Sequence, residues 1–223
     1  MTNPIPERIL AAYRRAVPDP PAEPRDVLLE QTGEIRLGPD KPWMPFTAEQ
    51  RIHATLTGFL WHARVKMAPL VTCVVEDAFE EGHGRLDAKV FGLLPVARAR
   101  GVDVDRGEVQ RYLAELPWCP AALVANPELR FRERSDGSVR VSVGDDGETW
   151  VDLGFDGDGD VVTASTTTRM RDDVGRPQPW EGRFSDYRDF GGIRAPARGE
   201  VGWRTPQGPY LYWRGEVTSL NSA

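Results

Sequence analysis

The sequence predicts a mainly β protein of the α+β kind. The expected architecture is a curved antiparallel sheet or half-barrel of about ten strands, with an N-terminal helix and one inserted amphipathic helix. Three observations lead there. After Arg25, segments rich in Val, Thr, Leu and aromatic residues follow one another at lengths of roughly 7–14 residues. Clusters carrying the Gly, Asn, Asp or Pro of tight turns separate them. In the middle of the chain a single stretch, Asp105 to Leu116, shows helical periodicity instead.

Taken in order, Pro6 to Val17 places Ile9, Leu10, Tyr13, Ala16 and Val17 on one helical stripe, and the run P-D-P-P-A-E-P from Pro18 ends that helix as a stiff spacer. Residues 1–24 therefore read as an N-terminal helix with a Pro-rich spacer, and residues 25–223 as a single β-rich domain without internal repeats. Turns are expected at Leu37 (L-G-P-D), Leu56 (L-T-G-F), Glu80 (E-E-G-H-G), Ser135 (S-D-G-S), Asp145 (D-D-G-E), Asp156 (D-G-D-G-D), Phe190 (F-G-G) and Pro206 (P-Q-G). Consecutive strands joined in this way form an antiparallel meander. Within the inserted helix, Asp105 and Glu108 have the spacing of a capping box. Val109, Tyr112, Leu113 and Leu116 form its apolar stripe, and Pro117 closes it. A meander this long buries both faces by closing into a barrel, or by curling so that helices cover the concave side.

Composition narrows the function. The 28 Lys+Arg against 34 Asp+Glu give a formal charge of -6, which argues against a general nucleic-acid binder. Lys41, Lys66 and Lys89 are the only lysines, so the Arg-rich basic set reads as coding bias rather than phosphate chemistry. No apolar run reaches the roughly 18–20 residues of a membrane-spanning helix, so an integral membrane protein is not expected. The N-terminal residues lack a cationic start, apolar region and cleavage site, and a cytoplasmic location is the expectation. Cys73 and Cys119, in no C-x-x-C motif, read as buried reduced thiols. His53, His62 and His83 lie on separate segments, and the D-G-D-G-D run has Val161 and Thr167 where a calcium loop needs Gly and Glu. No nucleotide cradle or nucleophile elbow is present, so neither a metal nor a cofactor is expected.

Three constellations carry the candidate site. In R-Y-L-A-E-L-P-W-C-P from Arg111, Arg111 and Glu115 stand four apart on the helix face opposite the apolar stripe. With the stripe in the core they are solvated and structural. If their own face lines a pocket, Arg111 holds an anionic group and Glu115 acts as acid or base. In F-L-W-H-A-R from Phe59, alternation puts Phe59 and Trp61 on one strand face, and Leu60, His62 and Arg64 on the other. Inward, the second face is a polar spot in an apolar interior; outward, it is an ordinary wet surface. The C-terminal set comprises Trp180, Tyr187, Trp203 and the run Tyr210 to Arg214, interleaved with Arg169, Arg194 and Glu200. It reads either as core packing or as a ligand cage.

The ordered set W-M-P-F-T-A-E-Q at Trp43, F-L-W-H-A-R at Phe59, R-Y-L-A-E-L-P-W-C-P at Arg111, P-W-E-G at Pro179, G-E-V-G-W at Gly199 and Y-W-R-G-E-V at Tyr212 resembles a bacterial family catalogued as a domain of unknown function. The likeness covers nearly the whole chain. It implies a single β-rich domain similar in outline to the curled half-barrels of lipoprotein carriers, with no established activity or catalytic residues to carry over. Lipoprotein carriers are exported and this N-terminus shows no export signal, so the resemblance carries the architecture rather than the carrier role.

The expected function is binding of a small hydrophobic or amphipathic molecule. Trp61, Trp118, Trp180, Trp203 and Trp213 supply apolar walls, while Arg111, Glu115, Arg64 and Tyr212 orient the ligand. The alternative is a cofactor-free isomerase, cyclase or lyase. There Glu115 serves as acid or base, and Arg111 with Tyr112 or Tyr212 stabilises developing charge. An interaction module with a solid core is the third reading.

Overall fold

Two meanders and one crossing connection build the protein, whose structure is a computed structural model describing residues 4–144 and 147–223. The chain enters through α1 (Glu7–Ala16), where Ile9 is fully buried and the Pro6 carbonyl accepts from the N–H groups of Ile9 and Leu10. Strands β1 (Val27–Ile35), β2 (Met44–Ile52), β3 (Phe59–Ala68), β4 (Val71–Glu80), β5 (His83–Val90) and β6 (Leu94–Ala99) then step outward to one sheet edge. Helix α2 (Val102–Ala114), a 3-10 turn (Leu116–Trp118) and α3 (Ala122–Ala125) carry the chain to the opposite edge. From there β7 (Leu129–Glu133), β8 (Val139–Val143), β9 (Thr149–Phe155), β10 (Val161–Arg171), β11 (Arg176–Asp189), β12 (Arg194–Thr205) and β13 (Gly208–Ser222) step back until β13 pairs with β1. The result is one antiparallel sheet in the order β6-β5-β4-β3-β2-β1-β13-β12-β11-β10-β9-β8-β7.

Curvature follows from the crossing. Helix α2 has 13 residues and so is about 20 Å long. It nevertheless packs on β4 and β5 of one wing and on β8, β9 and β10 of the other. Those strands lie far apart in the sheet order, so a single short helix reaches both sets only if the sheet curls around it. Alternation in the central strands sends the apolar set inward: Val27 and Leu29, then Phe46, Ala48 and Ile52, then Phe59, Trp61, Ala63 and Val65.

Thirteen strands form rather than about ten, because three turns lie outside the expected series. Leu70 (φ +66°) joins β3 to β4, and Phe91 (φ +56°) leads from β5 toward β6. These apolar residues occupy left-handed positions where Gly or Asn is usual, and each turn carries a single punctuating residue, Pro69 or Gly92, rather than a cluster of them. The third turn, at Asp172–Gly175, has an ordinary Asp/Gly signature and divides β10 from β11. The turn expected at Asp145 falls on residues outside the described set. At Asp156 the expected hairpin is present, with Asp156 Oδ1 accepting from the N–H groups of Asp158 and Asp160 at 3.0 and 2.9 Å.

The capping box is a correction too. Helix α2 starts earlier, at Val102, with Gly101 as its N-cap at φ +114°. The Asp105 carboxylate instead accepts from the Gly84 N–H at 2.7 Å, tying the helix to the start of β5. Glu108, relieved of any capping role, points into the concave side.

Three glycines in register cross the centre of the sheet: Gly33 of β1 faces Gly215 of β13, which faces Gly199 of β12. Aromatic rings lie directly on them. A Cβ at Gly33 would meet the Phe46 ring at 2.7 Å, one at Gly215 the Trp213 ring at 2.7 Å, and one at Gly199 the Trp118 ring at 3.1 Å. Phe46 stacks on Trp213 at 5.7 Å, and Trp118 stands edge-on to Trp213 at 6.3 Å. Gly215→Ala is expected to displace the Trp213 ring and destabilise the fold by about 1–3 kcal/mol, measured as a lowered midpoint in urea unfolding followed by Trp fluorescence.

Candidate functional site

Between α2 and this aromatic floor lies a cavity of about 240 Å³, just below the volumes typical of small-molecule sites, about 300–1,000 Å³. Trp61, Trp118, Trp180, Trp213, Phe184 and Tyr212 form its apolar walls. Asp77, Glu108, Arg111, Glu115 and Arg169 form its polar side. Leu86, Glu108, Arg169 and Tyr212 also border a groove of about 420 Å³ that includes Arg36, Arg171, Trp203 and Tyr210. The shared residues place that groove beside the cavity, as a vestibule with a common wall.

Strand register sets the first wing's contribution. Gln50, Trp61, Asp77 and Leu86 are successive cross-strand partners on β2, β3, β4 and β5. A hydrogen-bond chain runs along this region. Trp61 Nε1 donates to Gln31 Oε1 at 3.0 Å, Gln31 Nε2 to Gln50 Oε1 at 3.4 Å, and Gln50 Nε2 to Glu115 Oε2. Arg111 Nε donates to Glu115 Oε1 at 2.9 Å and its Nη1 to Asp77 Oδ2, with the guanidinium 4.7 Å from the Phe59 ring and 5.1 Å from Trp61. Across the cavity, Arg169 Nη1 donates to the Gly107 carbonyl and lies 5.0 Å from the Trp180 ring. Trp180 Nε1 in turn donates to Tyr212 Oη at 2.9 Å.

Both faces of α2 are buried. The stripe of Val109, Tyr112 and Leu113, continued by Leu116, enters the core, and the Arg111–Glu115 face covers the cavity. Core packing of the stripe therefore leaves the charges enclosed, not solvated, because the curled sheet wraps the helix. Glu115 has both oxygens engaged, one by Arg111 and the other by Gln50.

The unsatisfied carboxylate oxygens lie elsewhere. Among the described residues, Asp77 Oδ1 and Glu108 Oε2 are buried without a hydrogen-bond partner, and each residue is only 7% exposed. Gln110 Oε1 is a third such atom, on the β10 side, where Gln110 Nε2 donates to Thr168 Oγ1 at 2.9 Å. Burial, and next the charge of Asp77, push the Glu108 carboxyl up to about 8, against the pull of Arg169 and Arg111. Burial also raises Asp77, opposed by the same two guanidiniums. Glu108 thus holds its proton at neutral pH beside Asp77.

Of the residues expected to form a site, Trp61, Trp118, Trp180, Trp213, Tyr212, Arg111 and Glu115 meet around this one cavity. Trp203 stands in the vestibule, its ring 6.2 Å from Tyr212. Arg64 is exposed on the outer face of β3, as alternation with inward Trp61 requires. Tyr112 turns away from the cavity: its hydroxyl donates to the His53 carbonyl at 3.0 Å and accepts from Asn126 Nδ2 at 2.9 Å. Asp77 and Glu108 were not among the expected site residues, and Arg169 entered only as one of the charges interleaved with the C-terminal aromatic set. The signal for Asp77 is its place in the inward register with Cys73 and Phe79, where a carboxylate is out of keeping.

Residues 3–215 match the family of unknown function DUF6544, and the chain belongs to that family. The curved half-barrel fold is similar to that of lipoprotein-sorting proteins. A domain from Vibrio parahaemolyticus described as an outer membrane lipoprotein-sorting protein superposes with a TM-score of 0.52 at 9% identity, over 96% of this chain and 90% of that one. A LolA superfamily protein from Nitrosomonas europaea gives 0.49 at 12% identity, over 96% and 91%. At such identities the likeness is one of fold. No curated protein matches the chain.

Two outcomes follow from the site's geometry. Tyr112→Phe leaves Asn126 Nδ2 and the His53 carbonyl short of a partner, and is expected to cost about 1–3 kcal/mol in denaturant unfolding. Glu108 titrates near 8 in the folded state against an ordinary 4.5, so the folded protein binds more protons across that interval. Its contribution to stability is fully present below about pH 4.5 and is lost as pH rises toward about 8. The Tm of the wild type should fall over that interval, and the fall should be smaller in Glu108→Gln.

Proposed function

We propose that this protein binds a hydrophobic or amphipathic small molecule in the cavity between α2 and the sheet. The observation that carries the reading is a concave, aromatic-walled cavity with a small polar side and a vestibule beside it. Four tryptophans supply large apolar area at little entropic cost, and the charged groups confine the ligand's polar end to one side. The description of the Vibrio parahaemolyticus neighbour as a lipoprotein-sorting protein supports the same ligand class.

A second reading, acid–base chemistry on such a molecule, is favoured by one feature. Glu108 keeps a proton at neutral pH in a cavity, with Asp77 beside it. In that reading the acid is Glu108 rather than Glu115. Mass spectrometry of a bound ligand before and after incubation separates the two, since binding alone returns it unchanged.

Tryptophan fluorescence titrated with fatty acids, isoprenoids and polyketides tests the main reading. A saturable response to at least one class is expected. Gly182 lines the cavity, and a Cβ there meets nothing closer than 3.8 Å, so Gly182→Leu should fold while occupying the space. Affinity should fall more than tenfold in that variant. A flat response to every class, or one indifferent to Gly182→Leu, contradicts the proposal.

A further inference from the structure

Charge and hydrogen-bond accounting in the cavity define the ligand's polar group. Three carboxyl groups face it, Asp77 from β4 and Glu108 and Glu115 on or just after α2, against two guanidiniums, Arg111 from α2 and Arg169 from β10. Arg111 is shared by Glu115 Oε1 and Asp77 Oδ2, while Arg169 is held by the Gly107 carbonyl and the Trp180 face. With every carboxyl ionised, the site is one positive charge short. The deficit is localised, because Asp77 Oδ1 and Glu108 Oε2 are buried and, with both groups ionised, neither has a donor among the described residues; without a ligand, only a proton shared by this pair makes up the difference. Leaving such acceptors without a donor is costly in a water-poor interior. An anionic head group adds charge of the wrong sign and brings no donor, and a purely apolar ligand leaves both oxygens as they are.

We propose that the ligand is an amphipathic amine, its ammonium seated between Asp77 and Glu108 and its apolar body against the tryptophan walls. This rests on the reading of the cavity as a ligand site and specifies the ligand's polar end. An ammonium supplies both the missing charge and the N–H donors, and neighbouring aromatic faces tolerate or favour a cation. Without it, a proton on Glu108 serves the same purpose, donated toward Asp77. Binding therefore exchanges that proton for the ammonium. The groups facing Glu108 are Asp77, Arg111, Glu115, Arg169 and Tyr212. Of these, Arg111 stays charged, because the carboxylates of Glu115 and Asp77 outweigh its burial, and burial keeps the Tyr212 hydroxyl neutral. The exchange is thus a property of the Asp77–Glu108 pair. Amine affinity should rise by up to tenfold per pH unit below about 8 and level off above it.

Isothermal titration of the full chain with octylamine, 1-octanol and octanoate tests this at about pH 6.5 and 8. Octylamine is expected to bind at least tenfold more tightly than octanoate. At the lower pH it should release close to one proton per ligand, read from buffers of different ionisation enthalpy. Glu108→Gln and, separately, Asp77→Asn should cut the amine-over-octanol ratio at least tenfold, with thermal unfolding reporting that each variant is folded. Octanol binding without amine preference, or a preference that both variants retain, overturns this inference and leaves the cavity as a ligand site. Failure of all three probes to bind overturns both.

Discussion

The Arg111 guanidinium lies at the junction of helix and sheet, and the arrangement of the interior depends on how it is satisfied. A helix with both faces buried has to bring its charged face into the core, where an unpaired charge is expensive. Arg111 meets this by bonding to Asp77 on β4 and Glu115 at the helix end while lying over Phe59 and Trp61. These contacts fix the rotation of α2 over the first wing, and Arg169 with the Gly107 carbonyl fixes it over the second. The polar groups are committed to one another along the helix, so they do not collapse onto the aromatic floor opposite. The space left between the two is the cavity.

The floor has its own constraint. Gly33, Gly215 and Gly199 remove every Cβ from a line across three central strands, and the rings of Phe46, Trp213 and Trp118 settle on the bare backbone. Flat rings on flat backbone make a wall that is apolar, wide and stiff. Two of those glycines lie within the G-E-V-G-W and Y-W-R-G-E-V segments, and the second of these supplies both Trp213 and the Gly215 on which its ring lies.

Much of this was legible in the sequence where a local pattern reports a local fact. Turn residues marked the hairpins, period-two alternation put Trp61 and Arg64 on opposite faces of β3 without telling which face turned inward, and helical spacing located α2. Arg64, expected to orient a ligand, lies on the outer face. Failures came where tertiary context overrode the local pattern. Leu70 and Phe91 hold left-handed turn positions, with only a lone Pro69 or Gly92 beside them to mark the turn. The Asp105–Glu108 spacing reads as a cap, yet each carboxylate is claimed by a distant strand or by the cavity. Tyr112 belongs to the apolar stripe, opposite Arg111 on the helix, and its hydroxyl goes to Asn126 and the His53 carbonyl rather than to the cavity. The polar side is contributed by β4, α2 and β10, and no spacing rule brings Asp77, Glu108 and Arg169 together before the sheet has curled.

The central claim is that the space between α2 and the glycine-backed aromatic floor holds a small molecule. Native mass spectrometry of the protein purified from its own host without detergent tests that most directly. The account predicts a fraction of the protein carrying one small-molecule adduct per chain, released on unfolding and absent from Gly182→Leu prepared in the same way. A spectrum of bare chain alone, or an adduct carried equally by that variant, would contradict it.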